Sequence, residues 1–304
     1  MSWLQIIHET TYRYSKPVRF GPHRLLLRPR EGHDLRVEEM RLEIVPQFEL
    51  EWSRDVFGNS VVTAHLLRPA EELRIRSEIV LQQTAPFPSV GEQSAGRIPF
   101  PVTFSEEEIV VATAYLASTY PEDVAIVRDW VSRAIDPSPA SAEHVVASVA
   151  REIRRQISYQ RRDVKGVQTP AETLALNSGS CRDMATLMLE GLRSLGLPAR
   201  FASGYLDCVA SEAGHASTHA WAEAYLPEIG WTGYDPMLGE PTSSRHIVTG
   251  VSNHPRGVMP VSGSFFDQKE VYLGMSVSVQ TRRLKGGDPI SILFQPPSAE
   301  NSAD

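Results

Sequence analysis

Apolar and polar residues alternate with period two over the first 95 residues. Ile7, Glu9 and Thr11 stand against His8, Thr10 and Tyr12. Similar runs follow at Leu35/Val37, at Met40/Leu42/Ile44 and at Leu73/Ile75/Ser77/Ile79/Leu81. That period belongs to half-buried antiparallel strands. Phe57-Gly58-Asn59 falls between two such runs and reads as a hairpin turn. Thr84–Phe104 then holds Pro86, Pro88, Gly91, Gly96, Pro99 and Pro101, a density of breakers that marks a linker or domain boundary.

From Ser105 the period changes to that of a helix. Ser105 followed by Glu106, Glu107 and Glu108 makes a capped, acidic helix start. Pro121-Glu122-Asp123 opens a second helix, with Val124, Val127, Val131 and Ile135 on one stripe. Val145, Val149, Ile153 and Ile157 mark a third, whose basic face Arg151, Arg154 and Arg155 reads as solvated. After a loop with Gly166 and Pro170, Asn177-Ser178-Gly179-Ser180-Cys181 leads into a helix through Leu195. Met184, Leu187, Met188, Leu189, Leu192 and Leu195 cover much of its circumference, so it is expected to lie buried. Ser180 and Asp183 form a capping-box pattern at its start.

Strands are predicted at Ala199–Leu206, Thr218–Leu226 and Trp231–Asp235, with a last one at Val271–Val279. On the second of these, His219, Trp221, Glu223 and Tyr225 share a face. The organisation expected is a β-rich, sandwich-like region at 1–95, an α+β core with a C-terminal strand at 96–285, and a polar tail at 286–304.

Composition narrows the function classes. The chain has 304 residues, 30 Lys+Arg and 37 Asp+Glu, for a net charge of −7. That balance argues against gripping nucleic acid by bulk charge. No apolar run approaches the ~20 residues of a membrane span. The first residues lack the basic start and apolar core of a signal peptide, so the cytoplasm is the expected location. There are two cysteines, Cys181 and Cys208. Two thiols make neither a disulfide framework nor a four-cysteine zinc site.

Cys181 is the residue with candidate chemistry. At the first turn of a helix, unpaired N–H groups stabilise a thiolate and can bind an oxyanion. A free thiol with a pKa of about 8.5 is only about 3% ionised at pH 7, and a neighbouring imidazolium can bring it to roughly 4. His219 starts a strand and Asp235 ends the next, which suits a base and the carboxylate that orients it. Strand register sets a condition on this triad. A four-residue turn at 227–230 would place Asp235 opposite Ala222, on the wrong face. A five-residue turn or one bulge pairs Trp221 with Asp235 and restores the face, leaving His219 as the diagonal neighbour at about 7–8 Å.

The wording of these segments adds a resemblance. Gly179-Ser180-Cys181-Arg182-Asp183, Leu195-Gly196-Leu197-Pro198-Ala199-Arg200-Phe201 and Ser203-Gly204-Tyr205 resemble the core of the bacterial transglutaminase-like superfamily. So do His219-Ala220-Trp221-Ala222-Glu223 and Gly230-Trp231-Thr232-Gly233-Tyr234-Asp235-Pro236, and, upstream, Gly166-Val167-Gln168-Thr169-Pro170 with Glu172-Thr173-Leu174. His8-Glu9-Thr10-Thr11-Tyr12-Arg13-Tyr14-Ser15-Lys16-Pro17-Val18 looks like the β-rich region that accompanies this core in bacteria. The likeness covers about residues 5–85 and 155–240 and weakens towards 280. One departure is Met237-Leu238-Gly239, where the family often has Thr. The resemblance implies a papain-like α+β core with Cys181 as nucleophile, His219 as base and Asp235 as its partner. It implies attack on a peptide or protein amide through a thioester, with water or an amine as acyl acceptor. No Asp-rich calcium loop is readable, and no cofactor or metal is expected. Ser180, Trp221 and Tyr205 are candidates for substrate or oxyanion contacts; His215 and Glu223 are further cleft candidates.

Two other classes stay open at this stage. A non-catalytic peptide-binding or scaffold module could use the same fold. A metal site of Cys208, His215 and His219, with or without Cys181, has suitable ligand types but no short paired spacing.

Overall fold

The computed structural model describes residues 2–84, 98–136, 138–162, 166–207 and 218–284. Most of the Pro/Gly-rich stretch at 84–104, the tail at 286–304, Cys208 and His215 lie outside the described residues. The N-terminal region is all β: β1 (Ser2–Phe20), β2 (His23–Leu25), β3 (Leu35–Val45), β4 (Phe48–Arg54), β5 (Ser60–Leu66) and β6 (Ala70–Gln83). The alternating residues do what their period requires. Leu73, Ile75, Ser77, Ile79 and Leu81 of β6 are all buried, and Asp55–Asn59 closes the β4–β5 turn through the Asp55 carboxylate.

Helices follow: α1 (Glu106–Leu116), α2 (Val124–Ala134), α3 (Ala142–Gln156), α4 (Pro170–Leu176) and α5 (Cys181–Ser194). Short strands β7 (Ser158–Tyr159) and β8 (Ser178–Gly179) pair in parallel just ahead of α5. Next come β9 (Ala199–Leu206), β10 (Thr218–Leu226), β11 (Gly230–Asp235), β12 (Glu240–Pro241) and β13 (His246–Ser252), which form one antiparallel sheet in the order β12-β11-β10-β9-β13. The helix expected to be buried is buried: Met184, Leu187, Met188, Leu189 and Leu192 of α5 share a core with Val145, Val149 and Ile153 of α3 and Ala220, Ala222 and Ala224 of β10. Small alanines on β10 let a helix approach the sheet at packing distance.

The chain ends by returning to the N-terminal region. β14 (Val261–Ser262) extends the sheet β14-β2-β5-β4, while β15 (Phe265–Phe266) and β16 (Tyr272–Leu284) pair with β1. The C-terminal strand was expected with the core; in the structure its ladder runs along β1 from Trp3↔Leu284 to Tyr14↔Tyr272. Leu4, Ile6, Leu35 and Leu81 of this region pack with Tyr205 and Ile247 of the core sheet. Asn59 clamps the two parts, giving and receiving hydrogen bonds with the backbone of Val251. The result is an α+β core joined to an N-terminal β-rich region.

Candidate active site

Cys181 is the first residue of α5, and its side chain is partly exposed. The first backbone bond of the helix runs from the Met184 N–H to the Ser180 carbonyl, so earlier N–H groups at the helix start lack intrahelical acceptors. The approach to this turn is fixed by Asp183, which is fully buried. The N–H and the hydroxyl of Ser180 each donate to its Oδ2 at 2.8 Å. The Gln168 N–H donates to its Oδ1 at 2.7 Å, and Arg162 Nη1 lies at 2.9 Å. Gly179 is needed beside this knot: a Cβ there would fall 2.8 Å from the Asp183 Cβ and 3.0 Å from Gln168 Oε1.

His219 and Asp235 meet through the register that the sequence demanded. β10 and β11 pair Tyr225 with Trp231 and Ala222 with Tyr234. One step further sets Asp235 opposite Trp221. The turn achieves this by odd length: Leu226 pairs with Gly230, and Glu228 and Gly230 both take positive φ, 66° and 88°. His219 Nε2 lies 2.6 Å from Asp235 Oδ2. Asp235 takes Nε2 and leaves the other ring nitrogen, and the Cys181 thiol lies near enough to the imidazole to raise its pKa.

The electrostatics follow from burial and pairing. Burial alone would lower the His219 pKa. The Asp235 carboxylate outweighs it, Cys181 adds to the effect, and the imidazole is pushed up to about 10. Burial works against the Asp235 charge too, yet the two imidazoles of His219 and His246 hold its pKa well below the usual carboxylate range. Its Oδ1 accepts from the N–H groups of Met237 at 2.9 Å and Leu238 at 3.3 Å.

The structure thus brings Cys181, His219 and Asp235 together. It treats the other candidates differently. Trp221 is fully buried, with its ring 6.1 Å from His219 and 5.2 Å from His246, so it backs the imidazoles. Both donors of Ser180 are spent on Asp183 and are not turned to a substrate. Tyr205 is not brought to the site: it pairs with Thr218, one step out of phase with His219, and its hydroxyl meets His8 Nδ1 at 3.1 Å. Glu223 pairs with Arg200 at 2.7 Å.

Sequence reasoning missed two residues. Asp183 was visible only as a helix cap, not as the acceptor of Arg162 and Gln168. The second is His246, whose Nε2 lies 3.2 Å from Asp235 Oδ2. It reaches the site because β13 joins β9 rather than its sequence neighbour, with His246 opposite Leu206. Between the two histidines sits Gly204, opposite His219 on one side and Val248 on the other; a Cβ there would lie 1.9 Å from the Ile247 carbonyl oxygen and 3.1 Å from the Trp221 ring. The ligand-capable atoms of His219, Asp235 and His246 lie within 4.8 Å of one another. Both histidines, however, address one carboxylate oxygen directly, a geometry for sharing protons rather than for surrounding an ion.

No helix among the described residues is long and apolar enough to cross a membrane. In sequence comparisons, the bacterial transglutaminase-like N-terminal region matches residues 4–82, and the transglutaminase-like superfamily core matches residues 128–236. An uncharacterized protein of Mycobacterium leprae is 26% identical, over 91% of this chain and 98% of its own length. A Mycobacterium tuberculosis relative, also uncharacterized, is 27% identical over 88% of each chain. Among solved structures, a candidate cysteine protease from Cytophaga hutchinsonii superposes with a TM-score of 0.71 over 93% of this chain and 91% of its own, at 15% identity. The fold is therefore shared across most of both molecules. The two matches follow one another in the order of the strands and helices: residues 128–236 match the transglutaminase-like superfamily core, and residues 4–82 match the bacterial transglutaminase-like N-terminal region.

Proposed function

We propose that the protein is a cysteine-dependent enzyme that cleaves or transfers the acyl group of peptide or protein amides. One observation carries the reading: a thiol at a helix start, beside a buried imidazole that a buried carboxylate holds. In this reading Cys181 is the nucleophile, His219 the general acid and base, and Asp235 its partner. The Cys181 proton moves to His219, and the thiolate adds to the amide carbonyl. The Cys181 N–H at the helix start is a donor for the oxyanion. Imidazolium then gives its proton to the nitrogen as the C–N bond breaks, leaving a thioester and a free amine. In the second half His219 takes a proton from water or an incoming amine, which attacks the thioester and releases Cys181. Water yields a protease or deamidase and an amine yields a transglutaminase; both begin from the same thioester. A working thiolate needs a reduced thiol, which suits action in the cytoplasm.

Mass spectrometry of a peptide library, incubated with and without an added primary amine, tests the reading. Cleaved, deamidated or amine-linked products that vanish in Cys181→Ala are expected. Product formation that survives Cys181→Ala would remove the nucleophile.

A further inference from the structure

His246 is as buried as the triad histidine, with a side chain 4% exposed, and its ring is held at both nitrogens. Its Nδ1 accepts from the Ser243 N–H at 3.1 Å, and its own N–H returns to the Ser243 carbonyl at 2.9 Å. An Nδ1 that accepts carries no proton, so in the neutral ring the proton is on Nε2. That nitrogen points at Asp235 Oδ2, the oxygen that also takes His219 Nε2. The Trp221 ring stands edge-on to His246 at 5.2 Å and closes the remaining side.

From this geometry we infer that His246 is a positioning residue of the same site, donating its Nε2–H to Asp235 and so limiting how tightly that carboxylate holds the proton on His219. The inference rests on the proposed triad. Asp235 is already fixed through Oδ1 by two backbone N–H groups, so the third and fourth donors act on its charge more than on its place. A carboxylate whose Oδ2 is shared has less charge to offer the imidazolium. His219 can then release its proton to a leaving amine, where an unshared Asp235 would keep it. The groups facing His219 are Cys181 from α5, Asp235 from β11 and His246 from β13, while Tyr159 lies near the sulfur and feels the charges of Arg161 and Arg182.

Two measurements test this. Nitrogen-15 spectra of the unsubstituted protein should show neutral His246 protonated at Nε2; an Nδ1–H ring could not donate to Asp235, and would overturn the proposal. Alkylation of Cys181 by iodoacetamide, followed against pH, should show its His219-linked upper inflection raised by about one unit in His246→Phe. That is roughly a tenfold tighter hold on the proton. Return of the inflection in His246→Gln, whose amide restores a donor, is also expected. An inflection that stays put in folded His246→Phe would sink the inference alone; where His246→Phe does not fold, an Nδ1–H tautomer of His246 would do so. An alkylation profile unaffected by His219→Gln would instead strike the triad itself.

Discussion

Two buried carboxylates flank the candidate nucleophile, and they differ in what they accept from. Asp183 takes its hydrogen bonds from Ser180, the Gln168 backbone and Arg162, none of which changes charge near neutral pH. Asp235 takes two from backbone N–H groups and two from imidazoles. The first arrangement is a fixed knot that ties the segment before Cys181 to Arg162 and Gln168. The second can gain and lose protons. One site thus separates positioning of the thiol from management of the proton, and a buried charge serves both ends because each is fully partnered.

The sharpest break of that contrast is at Asp235. Asp235→Asn should leave the strands in register but spoil the proton relay, lowering the acylation rate by about 10⁴-fold, the scale seen when a triad carboxylate is neutralised. The measurement is the rate of thioester formation on any peptide that the library assay identifies. A loss below about tenfold would mean that Asp235 is structural and that the two carboxylates are alike.

Asp183 should respond the other way, in stability. Asp183→Asn leaves Arg162, which has a side chain only 19% exposed, facing a neutral amide. Removing one partner of such a pair costs about 3–5 kcal/mol. Urea unfolding should register that loss. A change under about 1 kcal/mol would show that water reaches Arg162 and that the knot is slack.

The comparison also marks what the sequence could tell. Asp235 was legible because strand parity is strict: once His219 and Asp235 were placed on successive strands, only an odd connection could put them on one face, and Leu226↔Gly230 supplies it. Tyr205 was misjudged as a cleft residue because parity within β9 alone does not say that Thr218, not His219, lies opposite it. Asp183 looked like an ordinary cap, since its partners Arg162 and Gln168 sit in a loop without period. His246 needed knowledge that β13 crosses back to β9. The return of β14–β16 to the N-terminal sheets was equally hidden, because two-residue strands carry no alternation and any β edge could accept the longer one.

A pH series separates the two carboxylates next. The His219 pKa is raised by folding, so its pairing contributes stability in full below about 6.5, the unfolded value, and loses it as pH rises through about 10. Asp235 is depressed, so its share is present above about 3.9 and is lost only as pH falls through its lower folded value. Melting temperature should therefore decline between pH 7 and 10 more in the native protein than in His219→Gln, by about 3 °C for each 1 kcal/mol of this contribution. Parallel curves for the two proteins would mean that the imidazole gains no proton on folding.

The smallest effect isolates the knot from the chemistry. Ser180→Ala removes one donor to Asp183 Oδ2 but keeps the backbone N–H that binds the same oxygen at 2.8 Å. A lost cap of this kind costs about 1 kcal/mol. Because the Ser180 hydroxyl is turned to Asp183 and not to the sulfur, alkylation of Cys181 should change by less than about 2-fold, within a small part of the 1.36 kcal/mol that a tenfold change requires. A tenfold fall with stability unchanged would move Ser180 from the fixed side of the site to the reactive side.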